Sequence, residues 1–111
     1  MGYIKHHTII VTSWNREHIS KTIEEAKKIF SSYEKGAEKL ISEPIEYIVN
    51  DGLSFFIAPD GSKEGWAVSE NLDKARKDFL DWLAKSDFYC DYVEVAFGGD
   101  DDNDRITERA N

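Results

Sequence analysis

Ile45-Glu46-Tyr47-Ile48-Val49-Asn50-Asp51-Gly52-Leu53-Ser54-Phe55-Phe56-Ile57-Ala58 is the stretch whose reading decides the fold. Two short apolar runs flank Asn50-Asp51-Gly52, and those three residue types tolerate the left-handed backbone that a tight hairpin requires. Working toward the N-terminus, Ile19, Ile23, Ala26, Phe30 and Tyr33 fall on one helical stripe from Arg16 to Tyr33, and Asn15 is placed to cap the first turn. Toward the C-terminus, Pro59-Asp60-Gly61 breaks the hairpin's second strand. Leu72, Ala75, Arg76, Phe79, Trp82 and Leu83 then mark a second amphipathic helix that Ser69 could cap. The outer segments, Tyr3 to Ser13 and Tyr89 to Phe97, are rich in β-branched and aromatic residues and read as strands. Gly36 to Glu43 carries no clear period.

The resulting order, β-α-β-β-α-β, is the α+β, ferredoxin-like plan, which predicts a four-stranded antiparallel sheet with two helices on one face. The expected arrangement sets the first and third strands parallel at the centre, so that the loops after them, and both helix N-termini, emerge at one edge. Residues 1–98 are expected to form a single domain and residues 99–111 an acidic, flexible tail. With Ile9 and Val11 turned toward the helices, Thr8, Ile10 and Thr12 line the uncovered face, beside Tyr92 and Glu94, and self-association through that face is expected.

At 111 residues the chain suffices for one core, and 41% hydrophobic residues with 14 aromatics can fill it. The net charge of -8 is concentrated between Asp87 and Asp104, where seven acids stand without a base. Phosphate-backbone binding needs a basic surface, so nonspecific nucleic-acid binding is disfavoured. Consecutive Asp residues at 100–102 lack the alternating spacing of a calcium loop. One cysteine forms no internal disulfide, and neither a membrane-length apolar run nor a signal peptide's apolar stretch is present, so a cytoplasmic protein without membrane contact is expected.

Three stretches, Gly2 to Trp14, Ser54 to Trp66 and Val93 to Gly98, together resemble an uncharacterised family of small bacteriophage and prophage proteins. That family has no established catalytic residues to carry over. The resemblance implies a phage setting, in which small acidic proteins act by binding host components and some sequester cyclic nucleotide signals.

The loops after the first and third strands hold the candidate ligand-binding residues: Trp14 and Arg16 on one, Asp60, Ser62, Lys63 and Trp66 on the other. Two indoles can stack on a planar base, two cations can pair with phosphate, and helix starts favour an anion. These groups suit a small nucleotide. No acid, base and nucleophile form a complete set, so the chain is expected to bind and sequester such a ligand without turnover, as an anti-defence factor with no cofactor. The alternatives are an acidic inhibitor of a host protein and a small nucleotide hydrolase. Asp60-Gly61-Ser62-Lys63-Glu64-Gly65 lacks the P-loop ending. His6 and His7 point to opposite faces of a strand, which argues against a shared metal, and Cys90 has no Cys-x-x-Cys partner.

Overall fold

The computed structural model describes residues 4–98 and 105–111. Its elements follow the order β1 (His6–Ser13), α1 (Arg16–Tyr33), a 3-10 turn (Ala37–Leu40), β2 (Ile45–Glu46), β3 (Leu53–Ile57), α2 (Ala67–Lys85), β4 (Asp91–Phe97) and β5 (Arg105–Ala110). The class is α+β: two helices and one five-stranded antiparallel sheet ordered β2-β3-β1-β4-β5. The fifth strand corrects the four-stranded expectation. It also corrects the flexible tail over Arg105–Ala110, where the chain returns to pair with the outer edge of β4. The acidic run at 99–104 lies outside the described residues.

Local chemistry accounts for the helix boundaries. Asn15 accepts the His18 N–H at 3.0 Å through Oδ1, as its N-cap position demands. From there Ile19, Thr22, Ala26 and Phe30 recur on the buried stripe of α1. Helix α2 starts earlier than expected, with Trp66 in the cap position, and Ser69 lies buried inside the first turn rather than capping it. Between the strands of the hairpin, Asn50 and Asp51 both take positive φ, at 67° and 56°, and Gly52 sits beneath the Tyr47 ring, where a Cβ would come within 2.4 Å of the ring carbons.

Strand parity builds the core. Ile9 and Val11 of β1, with Leu53, Phe55 and Ile57 of β3, face the helices and bury against Phe30, Leu72, Phe79 and Leu83. Thr8, Ile10 and Thr12 face away, as expected, but their β4 neighbours differ from the expectation. Thr8 pairs with Val95 and Ile10 with Val93, whereas Tyr92 and Glu94 stand opposite Val11 and Ile9 on the helix side. The carboxylate of Glu94 is therefore buried, 2% exposed, next to Arg76 of α2, which is 1% exposed. Arg76 Nε lies 3.5 Å from Glu94 Oε2 and its Nη2 donates to Asp73 Oδ1 at 2.5 Å. Arg109 of β5 donates from Nε to Glu94 Oε1. Among the described residues no acceptor reaches Arg76 Nη1. One buried cluster of charges thus ties α2 to β4 and β5.

Candidate functional site

Strands β1 and β3 are adjacent and antiparallel, with Ile9 opposite Ile57 and Ser13 opposite Leu53. The expectation of a parallel central pair is therefore wrong. In a split βαβ order each helix crosses over one intervening strand, so the parallel pairs are β1 with β2 and β3 with β4, each flanking an antiparallel neighbour. The loop after β1 leaves one end of the sheet, and the loop after β3 leaves the other. Lys63 bridges to Ile4 at the far end of β1. At ~3.3 Å per residue the run from Ile4 to Ser13 sets the two loops roughly 30 Å apart.

The six candidate residues accordingly divide. Trp14, 66% exposed, meets Tyr47 of the hairpin edge-on with ring centroids 6.2 Å apart. Arg16 pairs through Nη1 with Glu46 Oε1 at 2.9 Å, both side chains well exposed. These two residues brace the start of α1 against the β2–β3 hairpin and stand away from Asp60, Ser62, Lys63 and Trp66.

The latter four share the β3–α2 loop. Positive φ at Gly61 and Gly65, 82° and 92°, turns the chain twice between Pro59 and Trp66. Ser62 is buried and donates from Oγ to Asp60 Oδ2 at 2.6 Å, a bond across two residues that folds the loop onto itself. Lys63 Nζ lies 6.0 Å from the centroid of the Trp66 ring, and that indole is about half exposed. Trp66 is the residue before α2, and no side chain caps the helix there. The loop therefore presents, within four residues, an aromatic face, an ammonium and the start of a 19-residue helix.

His7 belongs to this end as well. Its Nε2 is 2.9 Å from Glu64 Oε1, with the two side chains 16% and 24% exposed, so β1 pins the middle of the loop. The sequence does not show that His7 and Glu64 meet. The available signal was parity: His6 and His7 face opposite sides, and only the helix side lies next to the loop leading into α2. His6 turns the other way, against Phe97 on the open face, with ring centroids 5.5 Å apart.

Among the described residues no group of three or more His, Cys, Asp or Glu side chains gathers as metal ligands. Nor does any helix have the length and apolarity to cross a membrane. Cys90 is buried, 3.8 Å from Thr22 Oγ1, and burial pushes its thiol above the ordinary value of 9.0. Two results are expected from this. The native thiol resists iodoacetamide at pH 8, while urea-unfolded protein is alkylated rapidly, as intact mass reads out. Because the folded state holds this proton more tightly, its stabilising contribution is present below pH 9 and declines as pH rises through the folded value. Rapid alkylation of native protein without unfolding would contradict the assignment.

Compared with protein-family models, curated proteins and solved structures, the chain matches none.

Proposed function

We propose that this chain is a non-enzymatic, cytoplasmic binding protein of extended ferredoxin-like fold, which holds a phosphorylated, base-containing small molecule at the β3–α2 loop and releases it unchanged. The observation that carries this reading is the uncapped start of α2 directly behind Trp66 and Lys63. Unpaired N–H groups and the positive end of the helix favour a phosphate, Lys63 adds a full charge, and the exposed indole offers a surface for the base. The carboxylates of Glu64 and Asp60 in the same loop are held in place by His7 and Ser62. In the phage setting implied by the sequence resemblance, such a protein would keep a cyclic nucleotide signal from a host sensor. Trp14 and Arg16, at the other end of the sheet, have no part in the proposed site.

Calorimetry with mono-, di- and cyclic nucleotides, cyclic ADP-ribose isomers and inorganic phosphate tests the proposal. At least one nucleotide is expected to bind and to be recovered intact by chromatography. Trp66→Ala removes a stacking surface worth about 1–3 kcal/mol, so affinity should fall roughly 5- to 150-fold. Trp14→Ala and Arg16→Ala should leave affinity unchanged. Absence of heat from every nucleotide would overturn the reading, and turnover of one would replace it with the hydrolase.

A further inference from the structure

Among the described residues nothing covers the face of the sheet opposite the helices. Ile10, Phe56 and Phe97 there are 43%, 42% and 42% exposed, and Ile45 on the neighbouring edge strand is 65% exposed. Ile10 pairs with Phe56 on one side and Val93 on the other, which places it in the middle of the face. It forms a ridge with a hollow on each flank. One hollow, of about 360 Å³, is lined by Ile10, Ile45, Phe56, Pro59 and Phe97, with Thr8 at its floor. The other, of about 370 Å³, is lined on this face by Ile10, Thr12, Asp91, Val93, Ala110 and Asn111. Among the described side chains of this face the sole charge is Asp91, at the margin opposite Thr12.

We infer that a second copy of this chain covers the open face, in a two-fold dimer that seats the Ile10 ridge of each protomer in a hollow of the other. Three observations select this occupant. A ridge beside a hollow on one surface is self-complementary under a two-fold axis, the commonest symmetry of soluble oligomers. The chain carries a net charge of -8, so two copies repel wherever carboxylates meet, and among the described side chains the central part of this face holds none. A basic partner, conversely, would meet a single acid, Asp91, among the described side chains of this face. Strand spacing and rise give a face of roughly 20 by 20 Å, about 400 Å² per partner, the size of a weak, concentration-dependent interface.

Sedimentation equilibrium of the full chain from 1 to 200 μM tests the dimer, whose expected mass is twice 12.7 kDa. Ile10→Lys places a charge at the centre and should raise the dissociation constant at least ~100-fold while leaving circular dichroism native. Ile10→Glu should do the same, and mixing the two variants should restore a heterodimer because their charges then meet in opposite sign. Should either Ile10 variant unfold, Phe56→Ser and Phe97→Ser, milder changes on the same face, carry the same expectation of weakened assembly. A monomeric wild type at 200 μM overturns the inference, as does a dimer that all four substitutions leave intact. Trp66→Ala should remain dimeric, so loss of nucleotide binding and loss of assembly are read separately.

Discussion

Glu94→Ala should cost the fold about 3–5 kcal/mol, read as a lower urea midpoint at unchanged slope. The reason is what the substitution leaves behind. Arg76 is 1% exposed on the inner face of α2, and its Nη1 already has no acceptor among the described residues. Without the Glu94 carboxylate its guanidinium keeps only Asp73, itself half exposed. The cost is therefore that of a stranded buried charge rather than of one lost attraction. It follows that Arg76→Met combined with Glu94→Leu should recover most of the loss, since apolar side chains of similar volume need no partners in that position. Arg109, 37% exposed, can turn to water in the double variant. A loss below about 1 kcal/mol for Glu94→Ala would show that water reaches the cluster and that it holds nothing together.

Phe55→Ala should cost about 3–5 kcal/mol, whereas Phe56→Ala at the next position should cost under about 1 kcal/mol. Phe55 is 1% exposed and Phe56 42% exposed, because consecutive residues of β3 point to opposite faces. Thermal melts should be taken at low micromolar concentration. There the proposed dimer contributes least, and Phe56 is judged on its own packing. Equal losses at the two positions would mean that β3 is held in a different register.

This pair of phenylalanines also shows where sequence reading stops. Alternation within β1 is legible because Thr8, Ile10 and Thr12 are more polar, as a set, than Ile9 and Val11. The helices are legible for the same kind of reason, since a stripe from Ile19 to Tyr33 has one period and one geometry. Leu53 to Ile57 gives less, since Phe55 and Phe56 are identical and only the residues opposite them in the folded sheet separate their roles. Glu94 was placed with Tyr92 correctly, but on the wrong side, because a lone carboxylate in a strand ordinarily faces water. Only Arg76, distant in sequence, makes its burial tolerable. The candidate residues divide for a topological reason and not a chemical one. Each loop was recognised as a loop, and Asp60, Ser62, Lys63 and Trp66 stayed together by adjacency. What brought in Trp14 and Arg16 was an assumed strand direction, which the crossover rule for a split βαβ order would have reversed. Strand β5 gave little warning, as Arg105 to Ala110 alternates weakly after an acidic run.

The central position of β1 has a consequence for how the chain reaches this structure. Ile9 stands opposite Ile57 on one side and Glu94 on the other, so the first strand made waits for partners roughly 50 and 85 residues further along the chain. Both pairings of β1 are thus non-local, unlike β2–β3 and β4–β5, and a search of that kind proceeds more slowly than the assembly of a helical bundle. During synthesis β1 emerges with both backbone edges open and with Ile9, Ile10 and Val11 in one run, the pattern that invites pairing between nascent chains. Helix α1 follows at once and can lie over Ile9 and Val11 before either neighbour exists. The Asn15 cap favours that helix from its first turn, and in the finished fold it covers the inner half of the strand.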